Sequence, residues 1–308
     1  MRRVVQALSA LVLNAAFLFQ FGPLKQFGEF LNWGKQYGCL PVLNCHSCPV
    51  AINACPIGVL GHLTEWRYFP AYVLGVVFGI AAVFGRFLCG WVCPFGFLQD
   101  LLHRVPLRKI RIPRVLKYVK YGLLVVSVLA VPYFLDVFSW GFFCRLCPQA
   151  TLESAIPRWA NGSSQMQAGP AAARLAVLAA VILLAVVSER FFCRVLCPVG
   201  ALVAPFGKVS PLRVRRDTGT CIHCKRCDRV CPMDLQPSTQ TGDAVRQTSG
   251  ECIVCSQCTH VCPVPRTLRW GMLGLWGGGR GRTSKEQAAE SGPTDLSEEG
   301  SPSDPAPR

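Results

Sequence analysis

The chain has 308 residues, 51% of them apolar and 16% charged, with 18 cysteines and a formal net charge of +15. The apolar residues gather in long runs instead of spreading as a globular core would, which argues against a soluble enzyme of one or two domains. The basic residues flank those runs and form no single face, which argues against nucleic acid as the partner.

The first run, Val4–Phe21, follows Arg2 and Arg3. It is long for a signal peptide and lacks a small-x-small cleavage site, so it reads as a retained anchor. Three more runs follow: Phe69–Leu88, Val115–Leu135 and Ala171–Val187. Each approaches the ~20 residues that cross about 30 Å of hydrocarbon as a helix, and helices alone satisfy their own backbone there without closing a barrel. The expected fold is therefore an all-α polytopic membrane protein of four transmembrane helices, followed by a small α+β C-terminal module whose character the cysteines decide.

Between the second and third runs, Arg86, Arg104, Arg108, Lys109, Arg111, Arg114, Lys117 and Lys120 face a single acid, Asp100. After the fourth run and Glu189, six basic residues from Arg190 to Arg216 precede the next acid, Asp217. The positive-inside rule then places this middle loop and both termini in the cytoplasm, with the protein in the inner membrane. The expected units are 1–205 for the membrane domain, 206–268 for the C-terminal module and 269–308 for a short apolar segment and a tail. In that last unit "LRWGMLGLW" is too short to span, and reads as lying on the membrane or packing on the module. The tail beyond it, rich in Gly, Ser, Pro and acids, is too polar for a core.

Four cysteines open a Cys-Pro block of similar form: "CPIGVL" at Cys55, "CPFGFL" at Cys93, "CPQATL" at Cys147 and "CPVGAL" at Cys197. Cys89 precedes Cys93 by the same spacing as Cys193 precedes Cys197, giving two C-x₃-C-P pairs. That spacing predicts both sulfurs on one helical face, with the proline ending the helix. Cys89, Cys93, Cys193 and Cys197 are expected to converge on the cytoplasmic side as a further redox or metal site; interfacial packing is the alternative. Cys39, Cys45, Cys48, Cys55, Cys144 and Cys147 fall on the outer face, where disulfides and metal or redox ligation are both open. About 30 Å of membrane is expected to separate the two sets.

The strongest signal is C-terminal. "CIHCKRCDRVCP" and "CIVCSQCTHVCP" both read C-x₂-C-x₂-C-x₃-C-P, the bacterial run for [4Fe–4S] clusters, in which the fourth cysteine crosses to the other cluster. Cys221, Cys224, Cys227 and Cys262 are expected to hold one cluster, and Cys252, Cys255, Cys258 and Cys231 the other, in a small α+β ferredoxin-like module. A zinc ribbon needs only two C-x₂-C pairs and leaves half of these cysteines unexplained. His223 and His260 read as exposed loop residues. No phosphate loop, catalytic triad, dinucleotide fingerprint or C-x-x-C-H motif occurs.

With these motifs the chain resembles the membrane polyferredoxins of the NapH/NosR type, over roughly residues 67–265. The residues that carry the resemblance are "CGWVCP", "CRVLCP" and the two ferredoxin runs; the outer cysteine segments depart from it. The resemblance implies an electron-transfer component, possible in a quinol dehydrogenase, that exchanges electrons between the quinone pool and other redox subunits at the membrane lipid. A redox-linked assembly or maturation factor for a metalloenzyme is the alternative. His62, Glu65, Asp100, His103, Asp136 and Glu189 lie near run ends as candidates for a quinone site.

Overall fold

The computed structural model describes residues 2–14, 39–45, 47–48, 54–105, 112–160, 168–239, 250–264, 267–272 and 275–278. The first run beyond Asn14, the loops at 106–111 and 161–167, and the tail from 279 lie outside these residues.

The described chain is mostly helical. Two helices, Val115–Phe134 and Gly169–Val187, are long and apolar enough to cross a membrane. Much of their surface faces outward, with Val125, Val126 and Leu183 each more than half exposed. Apolar side chains in such number need a nonaqueous cover. The second run does not make one long helix. Ala71–Phe84 stops at Gly85, whose φ of +58° breaks the helix, and a new short helix spans Phe87–Trp91. At 1.5 Å per residue its 14 residues reach about 21 Å, short of a full crossing. The first run begins as helix Arg2–Leu13. The Val115–Phe134 helix loosens to a wider turn over Leu124–Ala130 just before Pro132, as expected where proline removes a backbone donor and crowds the preceding turn.

The Cys-Pro blocks correct the expectation drawn from their sequence. Each cysteine is the N-cap, and each proline the first residue, of a new helix: Pro56–Glu65, Pro94–Leu102, Pro148–Ala150 and Pro198–Val203. Proline suits that position because its missing N–H has no intrahelical partner to lose. The C-x₃-C spacing therefore spans a turn between two helices and does not lie on one helical face. The Cys93 amide donates to Leu88 O at 3.0 Å and the Cys197 amide to Phe192 O at 2.9 Å, closing the same turn twice.

The C-terminal module contains a three-stranded antiparallel sheet in the order β1-β2-β3: Arg213–Arg216, Leu268–Met272 and Leu275–Gly278. Arg213 pairs with Gly271 and Arg216 with Leu268, while Arg269 pairs with Gly278. "LRWGMLGLW" thus forms most of a hairpin on the module. Leu268 and Val214 bury against Leu212, Cys227, Cys252 and Val254.

The module is docked on the bundle. Gly90 lies so close to Ile253 O that a Cβ would come within 2.4 Å of it, and Gly207 similarly abuts Gly250. The Trp91 indole donates to Val254 O at 2.9 Å. Arg86 and Lys120, both buried, meet Glu251.

Candidate metal centres

The two ferredoxin runs fold alike. His223 and Lys225 in the first, and Val254 and Ser256 in the second, all have φ near +50°. Successive residues of this kind turn backbone amides toward a common centre, a concavity that suits anionic groups. At the β-branched Val254 the conformation costs on the order of 1–2 kcal/mol, so the surrounding fold must hold it in place.

The runs also exchange their last cysteines. Cys221, Cys224 and Cys227 line one cavity with Cys262. Cys252, Cys255 and Cys258 line another with Cys231. Burial pushes the thiols of Cys227 and Cys231 up to about 12, and Cys252 and Cys255 add to the shift at Cys231. Four such thiols give up their protons only to a cation that compensates them. Among the described residues no group of three or more His, Cys, Asp or Glu is compact enough for a single metal ion. A [4Fe–4S] cube takes one thiolate at each of four iron corners, which matches the four cysteines around each of the two cavities. His223 and His260 are exposed.

Cys89, Cys93, Cys193 and Cys197 come together as well. Burial raises the thiols of Cys93, Cys193 and Cys197, and each is raised further by others of the four. Their setting is a repeat of two halves, "RFLCGWVCPFG" and "RFFCRVLCPVG". The arginine that opens each half serves the other. Arg190, fully buried, donates to Cys89 O at 3.1 Å and packs over Gly96 of the first half. Arg86 packs over Gly200 of the second, where a Cβ would approach its guanidinium to 2.9 Å. Gln99 donates to Cys193 Sγ at 3.1 Å and accepts from the Phe192 amide at 3.1 Å.

Each arginine is neutralised. Arg190 Nε and a terminal nitrogen donate to Asp100 at 2.7 and 2.6 Å, and Arg2 reaches the same carboxylate at 2.9 Å. These cations hold Asp100 below the usual carboxylate range, with burial opposing them. Asp100, a candidate for a quinone site, is thus engaged in ion pairs. Sequence reasoning missed Arg86, Arg190 and Gln99; the arginine at a fixed offset before each C-x₃-C-P was the available signal.

The 4Fe-4S binding domain model matches residues 66–113 and again 170–217, so that each copy holds one of the two fully buried arginines, Arg86 or Arg190, and one C-x₃-C-P pair. The 4Fe-4S dicluster domain model matches residues 213–263. The chain is 32% identical over 167 residues to an uncharacterized protein of Methanocaldococcus jannaschii, covering 51% of this chain and 55% of that one. Over 177 residues it is 32% identical to the protein NirI of Paracoccus denitrificans, covering 53% of this chain and 23% of NirI. Over 172 residues it is 28% identical to the ferredoxin-type protein NapH of Escherichia coli, covering 53% of this chain and 52% of NapH.

The chain is similar to the ferredoxin-type membrane proteins of the NapH kind.

It spans about half the length of the NapH it matches. No solved structure matches it. The chain keeps both halves of the repeat and both ferredoxin runs.

Proposed function

We propose that this chain is a multi-pass inner-membrane protein that moves electrons between the quinone pool and redox partners, with its ferredoxin module in the cytoplasm. The observation that carries the reading is the crosswise sharing of eight ferredoxin cysteines between two cavities. Cys221, Cys224, Cys227 and Cys262 hold one cluster, and Cys231, Cys252, Cys255 and Cys258 the other. Bound [4Fe–4S] clusters supply one-electron chemistry at potentials set by charge, hydrogen bonding and exposure.

The chain's own residues orient the pair. Val254 and Glu251 tie the second run to the bundle. The first run carries exposed Cys224 and Ile222 and is open to a soluble partner. Cys89, Cys93, Cys193 and Cys197 lie at the bundle end where the module docks, and Arg190 feels the charge of both Cys193 and Cys255. These four cysteines form a further redox or metal site between membrane and module.

The test is anaerobic addition of a short-chain quinol to the purified full chain, with the clusters followed by electron paramagnetic resonance. Reduction by quinol supports the reading. Clusters that dithionite reduces and quinols of several potentials do not would overturn the quinone part of it.

A further inference from the structure

A second group of cysteines in the bundle lies outside every matched family segment, since 66–113, 170–217 and 213–263 contain none of them. Cys45, Cys55, Cys144 and Cys147 nonetheless line one cavity of about 270 Å³. Arg174, near the start of helix Gly169–Val187, also lines it, whereas Arg190 follows the far end of that helix at the Cys89 site.

The local chemistry repeats that of the C-x₃-C-P pairs. Cys55 and Cys147 are N-caps before proline with φ of −66° and −62°, against −64° for Cys93 and −71° for Cys197. Backbone amides of the following turn face each sulfur: those of Ile57 and Gly58 at Cys55, and of Gln149 and Ala150 at Cys147. Burial pushes both thiols up to about 12, and the amide donors oppose it by favouring the thiolate. A small residue stands third after each of these cysteines, as Gly96 and Gly200 do in the matched halves. The two companions, Cys45 and Cys144, complete a set of four.

The two remaining cysteines do not line this cavity, although Cys48 packs beside Cys45 and Cys39 lies near Cys55. Cys48 donates its thiol proton to Glu153 O at 3.0 Å. Cys39 packs with Val73, Val77 and Cys89. The selection of four from six by one cavity is therefore geometric. Four thiols around one cavity are the donor set that a polynuclear iron–sulfur centre takes.

We infer that Cys45, Cys55, Cys144 and Cys147 bind an additional iron–sulfur cluster of the [4Fe–4S] class, separate from those of the ferredoxin module. The inference stands on these cysteines and does not depend on the quinone reading. It also changes the distance argument. Cys55, Cys93, Cys147 and Cys197 belong to one continuous buried cluster with Leu43 and Phe192. The Leu43 backbone faces the Cys93 sulfur, and the Phe143 and Phe192 rings, next to Cys144 and Cys193, lie 6.3 Å apart between centroids. The two membrane sets share a protein core and are not held apart by a full membrane thickness.

The experiment compares iron per chain in the anaerobically purified full-length protein with that in Cys55→Ser and Cys147→Ser variants, using Cys48→Ser as the control. The expected result is a loss of about four irons per chain in the first two variants, none in the control, and unchanged ferredoxin signals in all three. Unchanged iron in folded Cys55→Ser and Cys147→Ser overturns the inference. Where those variants fail to fold, the parent protein decides through peptide mapping after anaerobic denaturation without reductant. Disulfide-linked peptides containing any of the four cysteines overturn the proposal; four alkylatable thiols together with more than about eight irons per chain, in a Cys93→Ser, Cys197→Ser background that removes the other membrane set, support it.

Discussion

Arg86 and Glu251, 165 positions apart, meet in a buried ion pair that joins the first half of the membrane repeat to the second ferredoxin run. Lys120 Nζ reaches the same carboxylate at 2.5 Å, and Tyr121 donates to its other oxygen at 3.2 Å. One acid thus satisfies two buried cations at the junction where the module meets the membrane helices. Their fields keep Glu251 below the usual carboxylate range against the cost of its burial.

Replacing Glu251 by Gln leaves Arg86 and Lys120 buried without a counter-charge. Breaking a buried pair in this way costs about 3–5 kcal/mol. The variant is expected to melt at lower temperature and to release the module to limited proteolysis, with the bundle retained. Proteolysis at the parent rate would show that the pair does not hold the junction.

Asp100→Asn removes the partner of Arg190 and Arg2. Because the folded carboxyl titrates below its unfolded value, near 3.9, its stabilisation is complete above that value and is lost as pH falls through the folded pKa. The parent should therefore melt higher than Asp100→Asn at pH 7, and the gap should close in acid below about pH 4. A gap independent of pH would assign the effect to packing.

Cys231 lies with the second run's cysteines, across from its own. Cys231→Ser is expected to alter first the spectrum of the cluster held by Cys252, Cys255 and Cys258. If only the cluster of Cys221, Cys224 and Cys227 changed, the crosswise assignment would be wrong.

The four thiols at the docking end are expected to matter for electron entry. Cys93→Ser and Cys197→Ser should block reduction of the ferredoxin clusters by quinol, while dithionite still reduces them. Near-normal quinol reduction in both variants would leave these cysteines a packing role.

Orientation is read from basic residues alone. A reporter fused after Arg216 should be active only in its cytoplasmic form, and one near Gly162 only in its periplasmic form. The reverse pattern at both positions would invert the proposed topology.

The two C-x₂-C-x₂-C-x₃-C-P runs, and with them the 4Fe-4S domains, are legible in the sequence because such motifs have a short, fixed spacing, and spacing is a one-dimensional property. The membrane character was legible for a similar reason: an apolar run of sufficient length is a local feature, and two such runs form helices that qualify. The direction of the Cys-Pro blocks was not. A proline both ends one helix and suits the first position of the next, and only the fold decides which is realised; here Cys93 and Cys197 cap new helices. Nor could spacing reveal that Arg190 serves Cys89 or that Arg86 serves Gly200, since each contact crosses from one half of the repeat to the other. The gathering of Cys45, Cys55, Cys144 and Cys147 around one cavity likewise joins segments far apart in the chain. Ligand spacing and hydrophobic length act over a few residues to a few turns, so the chain itself carries them; the pairing of buried charges and distant thiols depends on which helices pack together, and that is settled only in three dimensions.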